Sequence, residues 1–303
     1  MPFALLVALV LLLGACSGQR QKPVRALYYW STTFVNDSLK RQFYKAHNVQ
    51  RLYIRYFDVV KKNGQEPLPN ATITFNDSVP QGIEVVPTVF ITNDCMHQPP
   101  QFAKQLWQRI RQMNETHGVK NVKEIQIDCD WSKQTQDIYF QFLRQLHQLV
   151  AKEGLKLSAT IRLHQLGMQA PPVDKGTLML YNTGDFRQLA YQKPILDPDV
   201  VRRYIGPLRS YSLPLNTAYP LFRVRALFRN GKFVGLIHTK DEYPVLPTDT
   251  IAVRETTLAD LQSVQRLINE QHPEAHNEII LYDISNRNLT KYSPSTYEKI
   301  YNP

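Results

Sequence analysis

The sequence predicts a (β/α)8 barrel of the TIM type, and three observations carry that prediction. Eight short runs rich in branched and aromatic residues recur along the chain, at 24–30, 51–57, 83–91, 123–130, 155–163, 177–182, 213–219 and 278–284. Apolar residues at helical spacing lie between several of these runs. The fourth run is two-faced: Ile125, Ile127 and Cys129 fall on one side of a strand, and Gln126, Asp128 and Asp130 on the other. A strand with an apolar back and an acidic front must face solvent or the polar mouth of a barrel. An open doubly wound sheet is the competing α/β architecture, but its phosphate-binding glycines are missing.

Taken in order, residues 1–15 read as a secretion signal. The apolar stretch from Phe3 to Leu13 is too short to span a bilayer as a helix, and small residues follow it at Gly14 and Ala15. The ending Leu13, Gly14, Ala15, Cys16 resembles a bacterial lipobox, in which the cysteine is lipidated and becomes the mature N-terminus. The expected organisation is a lipoprotein signal peptide at 1–15, a lipidated tether at 16–22 and a single barrel domain at 23–303. The expected location is the bacterial cell envelope, anchored through Cys16 to the outer membrane and facing the periplasm.

Within the domain, Phe102, Leu106, Ile110 and Met113 mark one helical face, as do Ile138, Phe142, Leu146 and Leu149. Leu258, Leu261, Val264 and Leu267 mark a third, with Thr257 as its N-cap. Helical coverage weakens after the fifth and sixth strands, where Pro171, Pro172 and Pro194 intervene, so a distorted barrel is expected there. Residues 221–237 predict a β-hairpin inserted after the seventh strand, turning at Asn230 and Gly231. Such a hairpin stands over the C-terminal rim, where the active sites of this fold lie.

Composition narrows the function. Hydrophobic content of 43% and charged content of 20% exclude a disordered chain. The formal charge of +10 admits anionic partners, but nucleic acid has only that charge in its favour, and export argues against it. After Cys16 only Cys95 and Cys129 remain, a pair too few for a disulfide framework, although they could bridge after export. Cys129 reads as a small buried hydrophobe. No CxxC, HExxH, GxGxxG or Walker motif occurs, so neither a metal nor a nucleotide cofactor is expected.

Polar residues repeat the inward pattern on other strands. Ser158, Thr160 and Arg162 oppose Leu157, Ala159, Ile161 and Leu163, while Tyr53, Arg55 and Phe57 oppose Leu52 and Ile54. Arg55 and Arg162 are therefore expected to meet Asp128 and Asp130 in the lumen, since a buried carboxylate needs a partner. Such a network can serve a site or simply brace the barrel. Tyr29, Trp30, Trp131, Tyr181, Tyr219 and Phe222 fall near strand ends, where flat rings suit sugar faces or pack beneath loops. His164 reads as solvated or structural.

These residues carry a family resemblance. Asp128, Cys129 and Asp130 resemble the latter part of the fourth-strand signature of family 18 glycoside hydrolases, Asp-x-x-Asp-x-Asp-x-Glu. Met179, Leu180, Tyr181 and Asn182 resemble that family's Met-x-Tyr-Asp in the sixth strand. Nearly the whole mature length is also similar to a group of Bacteroidetes lipoproteins with sugar-hydrolase-like barrels. The resemblance implies that Tyr181 steadies a substrate acetamido group. It also exposes a departure: the family's general acid is the final Glu, and Ser132 stands in that register. Serine cannot protonate a glycosidic oxygen at neutral pH. The first Asp of the signature is Ile125 here.

Asp128 and Asp130 are about 6.6 Å apart along the strand at roughly 3.3 Å per residue, within the range of about 5–9.5 Å for paired glycosidase carboxylates. They nevertheless leave one strand in parallel, so a second carboxylate is sought at Asp58, Asp94, Glu255 or Asp283. The expected function is action on a glycan. In the hydrolytic reading Asp130 is the catalytic acid/base and Asp128 tunes it. Arg55 and Arg162 then position substrate, and Tyr29, Trp131, Tyr181 and Asn182 line the sugar subsite. The alternatives are a chitinase-like barrel that binds carbohydrate without cleaving it, and an envelope scaffold.

Overall fold

All eight expected strands are present and close into a parallel barrel. The computed structural model describes residues 22–61, 66–97, 101–238 and 242–303. In it β1 (Val24–Tyr29), β2 (Arg51–Val60), β3 (Glu84–Ile91), β4 (Glu124–Cys129), β5 (Lys156–Ile161), β6 (Lys175–Met179), β7 (Leu215–Pro220) and β8 (Glu278–Tyr282) pair in chain order. β1 pairs with both β2 and β8, which leaves the barrel no open edge. The signal segment, Cys16 and the tether up to residue 21 lie outside the described residues. None of the described helices is long and apolar enough to cross a membrane.

Strand alternation sorts the side chains as the sequence predicts along most of the wall. Ile125, Ile127, Cys129, Leu157 and Ile161 point outward into the main core beneath the helices. Tyr28, Tyr53, Val86, Met179, Ala218 and Ile280 pack inside the barrel. At Gly176 the wall is tight: an added Cβ would come within 2.8 Å of both Ile161 Cγ1 and Leu215 Cδ2. One strand departs from the pattern. β2 carries a bulge between Arg55 and Phe57, so Phe57 joins the outer core instead of facing inward, and Asp58 comes round to the side of Arg55.

Helices α1 (Ser38–Ala46), α2 (Gln101–Thr116), α3 (Gln136–Ala151) and α5 (Leu258–Gln271) cover the outside where the 3.6-residue patterns predict them or between early strands. Phe142, Leu143 and Leu146 of α3 are buried, each such side chain contributing about 1.5–3 kcal/mol. Thr257 caps α5 by accepting the Asp260 N–H at 3.0 Å. Coverage is thin where the prolines predict it. A single short helical turn, Leu163–Gly167, follows β5. A loop and the seven-residue helix α4 (Pro198–Tyr204) follow β6.

The hairpin after β7 is present as Arg223–Arg229 and Lys232–Leu236. Asn230 and Gly231 both adopt positive φ, 51° and 74°, as its two-residue turn requires. A third antiparallel strand, Thr250–Glu255, pairs with its first strand and was not expected. Ala226, Phe228 and Ala252 of this small sheet pack with Leu189, which ties it to the β6–β7 loop.

The N-terminal end of the barrel is closed by charge. Lys175 bonds Glu124 at 2.7 Å and Glu278 at 3.1 Å, and Arg51 pairs with Glu84 and Glu278. Tyr53 and Asn216 donate to Glu278 at 2.8 and 2.7 Å. Burial opposes the charge of Glu278, yet Lys175 and Arg51 outweigh it and hold that carboxyl below its ordinary range. Glu124 pairs with Lys175, yet burial outweighs that partner and pushes its carboxyl up.

Candidate functional site

The front of β4 rises through the barrel as a ladder of polar contacts. Gln126, fully buried, accepts from the Tyr28 hydroxyl and donates to Thr177 Oγ1 at 3.0 Å. One step up, Asp128 Oδ1 accepts from Thr160 Oγ1 at 2.7 Å and from Arg162 Nη2 at 3.0 Å. Past the strand end, Arg162 Nε donates to Asp130. Arg162 therefore bridges a buried carboxylate and an open one: the Asp128 side chain is 5% exposed and that of Asp130 is 59% exposed. The bridge is braced from behind. Gln165 accepts the Arg162 N–H at 2.8 Å and donates to the Trp131 carbonyl at 2.9 Å, joining the ends of β4 and β5.

The electrostatics follow from this placement. Burial pushes the Asp128 carboxyl up; Arg162 and Thr160 pull against it, and Asp130 adds to the rise. Burial also works against the Arg162 charge, but the Asp128 and Asp130 carboxylates more than offset it, so the guanidinium stays protonated. The Tyr181 phenol is pushed up by burial and keeps its proton.

A cavity of about 330 Å³ opens at the ends of β4, β5 and β6. Asp130, Arg162, His164, Tyr181, Asn182 and Tyr204 stand on its wall, with Met179 and Val200 below them. Four of the predicted site residues thus share one opening: Asp130, Arg162, Tyr181 and Asn182. Asp128 lies beneath it, reached through Arg162. Beside the cavity, Tyr181 stacks on Tyr282 at 4.9 Å, and Trp30, Tyr282 and Phe222 continue an aromatic cluster over the remainder of the mouth.

Besides Asp128, three expected site residues do not line this cavity. Arg55 does not meet Asp128 or Asp130; the β2 bulge delivers Asp58 to it, with Nε to Oδ1 at 2.6 Å, and its guanidinium lies over the Trp30 ring at 5.5 Å. Trp131 is fully buried, because the chain turns at the end of β4 and packs its ring against Tyr139 and Phe140 of α3. Tyr29 falls on the outer parity of β1, next to Tyr28 inside; its hydroxyl donates to the Thr33 carbonyl and accepts the Val35 N–H, both at 2.8 Å. Ser132 sits in the turn before α3, its N–H held by Thr135 Oγ1 at 3.0 Å.

The carboxylates sought as partners for Asp130 are each engaged elsewhere. Asp58 pairs with Arg55, Asp94 accepts from Thr92, Glu255 pairs with Lys291, and Asp283 accepts from Asn288. Asp130 is the one carboxylate among the described residues of the cavity wall. Cys95 and Cys129 are buried free thiols. Among the described residues no group of three His, Cys, Asp or Glu side chains is placed to hold a metal ion. Sequence reasoning missed Tyr204 and the α4 wall, although Asp197 followed by Pro198 is a readable helix start.

Comparison with known proteins supports the architecture. No family model matches the chain, and no curated protein matches it. Among solved structures, the spore cortex-lytic enzyme SleL of Bacillus megaterium superposes with a TM-score of 0.59 at 12% identity, over 94% of this chain and 74% of that one. SleL of Bacillus cereus gives 0.59 at 16% identity, over 92% and 74%. A chitinase from Chromobacterium violaceum gives 0.57 at 12% identity, over 93% and 99%. At these identities the likeness is one of fold: the chain is a (β/α)8 barrel similar in architecture to those of glycan-cleaving enzymes.

Proposed function

We propose that this chain is an envelope protein that recognises a glycan in the cavity at the ends of β4–β6. The observation that carries this reading is the Arg162 bridge. It fixes a solvent-facing carboxylate, Asp130, beside Tyr181, Asn182 and His164, giving a mixed polar and aromatic wall of the kind that orients a small ligand. The barrel likeness to SleL and to a chitinase supports a glycan as that ligand by analogy of fold. Recognition is favoured over cleavage because a two-carboxylate hydrolase needs acids on both sides of the scissile bond, and the described wall offers Asp130 alone.

Calorimetric titration with N-acetylchitotetraose and with a peptidoglycan tetrasaccharide tests the reading. Saturable binding that Asp130→Asn weakens at least fivefold is expected. Titrations without heat or saturation for either glycan would remove its basis.

Hydrolysis is the second reading, and one observation favours it. Burial pushes the Asp128 carboxyl up, the direction in which general-acid carboxyls are tuned. In this reading Asp130, which reaches the cavity, is the acid/base, and Asp128 tunes it through Arg162.

Anchoring through Cys16 completes the proposal. The lipobox-like ending of residues 13–16 supports it. A Cys16→Ala chain is expected to leave the membrane fraction for the soluble one. Retention of that variant in membranes would count against lipidation as the anchor.

A further inference from the structure

The mouth of this barrel has many aromatic rings, and nearly all are spent on one another. Trp30, Tyr181, Phe222 and Tyr282 stack or pack edge to face among themselves, and Trp131 is buried under α3. Tyr204 differs. It lines the same cavity as Asp130 and Arg162, is 44% exposed, and makes no ring contact or hydrogen bond among the described residues.

An exposed tyrosine alone means little, since scattered surface rings are ordinary. Here the support beneath the ring is built. Asp197 caps α4 by accepting the Asp199 N–H at 2.9 Å, its own N–H donates to Thr183 Oγ1 at 2.8 Å, and its Oδ2 accepts the Tyr191 hydroxyl at 2.6 Å. Val200 and Val201 are buried under the same helix. One residue therefore pins α4 both to the β6 end and to the loop behind it. The ring is presented from a fixed element, which lowers the ordering cost of binding.

The polar groups around it are unspent as well. Arg162 Nη1, the Asn182 amide and the His164 ring make no hydrogen bond among the described residues, yet Arg162, Asn182 and His164 line the same opening as Tyr204. Polar side chains and an unpartnered ring in one lining match an amphipathic sugar, whose hydroxyls lie at the edge and whose C–H groups form a flat face. At about 330 Å³ the cavity is at the small end for ligand sites, so a chain of sugars must continue outward past its lip. Tyr204, at 44% exposure, is an exposed ring of that lining.

We propose that Tyr204 is the platform of a second sugar subsite. The ring next to the one held at Asp130 stacks on it, so the ligand is an oligosaccharide of two or more linked rings. This inference rests on the glycan reading of the cavity. Tyr204 takes no part in any proton transfer; it selects for length.

The test is calorimetric titration of Tyr204→Ala and Tyr204→Phe with N-acetylchitotetraose and the peptidoglycan tetrasaccharide. Tyr204→Ala is expected to weaken binding of the glycan that the unmodified chain takes at least fivefold, from loss of about 1 kcal/mol of ring contact. Tyr204→Phe is expected to stay within twofold, because the ring face and not the hydroxyl does the work. Tyr204→Phe should unfold at the temperature of the unmodified chain and Tyr204→Ala close to it, as the residue is 44% exposed at the end of α4. Unchanged affinity in Tyr204→Ala overturns the platform while leaving the cavity reading intact. Absence of binding by the unmodified chain overturns both.

Discussion

Replacing Arg162 with methionine is expected to lower the stability of the barrel by about 3–5 kcal/mol, read from the urea midpoint. Methionine keeps much of the side-chain length but removes the guanidinium that bridges Asp128 and Asp130. Asp128 is then left in the lumen with Thr160 as its remaining partner, and burial already disfavours its charged form. The sign with pH follows. A carboxyl whose folded pKa is raised makes the fold less stable as pH climbs from its unfolded value towards the folded one. Losing Arg162 raises it further, so the deficit of the variant grows from acid to neutral pH. Asp128→Asn in the same chain removes the stranded charge and is expected to restore at least half of the loss. A deficit below about 1 kcal/mol at neutral pH would mean that Arg162 does not compensate Asp128.

Lys175→Met is expected to cost about as much, roughly 3–5 kcal/mol, at the opposite end of the barrel. Among the described residues Lys175 is the one cation bonded to Glu124 and one of two bonded to Glu278, both nearly fully buried. Without it three carboxylates, Glu84, Glu124 and Glu278, share Arg51. The Glu278 carboxyl is held low in the native chain, so its contribution is present above its unfolded pKa and fades as pH falls through the folded one. Glu124, pushed up by burial, works in the other sense and is destabilising once ionised. Both effects make the variant nearly native-like in acid and markedly weaker at neutral pH. A pH-independent deficit would indicate lost packing of the lysine stem and not lost charge.

The fold was largely legible because its wall obeys two simple periods. Alternation at 125–129 and 157–161 sorted outer from inner side chains, and the 3.6-residue spacing from Phe102 to Met113 located α2. Asn230 and Gly231 announced the hairpin through the positive φ that a tight turn demands. The site was legible in part. Asp130, Arg162, Tyr181 and Asn182 do share one cavity: the first three continue the inward registers of β4, β5 and β6, while Asn182 has the other parity and a positive φ of 54°.

What escaped was local breaks in the periods. The β2 bulge adds a residue that no pattern shows, and it sends Phe57 outward and gives Arg55 to Asp58. Trp131 escaped for the opposite reason: it keeps the outward parity of Ile125, Ile127 and Cys129, which carries its ring under α3 and away from the mouth. The charged plug was hidden for a different reason. Arg51, Glu124, Lys175 and Glu278 each begin a strand, where a charge ordinarily marks a boundary, and only barrel closure brings them together. Tyr204 belongs to a short helix defined by its cap and not by an apolar stripe.

The central claim is that the Arg162-bridged carboxylates organise a binding site instead of cutting a glycan. Mass spectrometry of N-acetylchitotetraose and of the peptidoglycan tetrasaccharide after prolonged incubation with the purified chain tests it most directly. The account predicts intact tetrasaccharides, with Asp130→Asn giving the same spectrum. Shortened products from the unmodified chain that vanish with Asp130→Asn would contradict it and make the barrel a hydrolase.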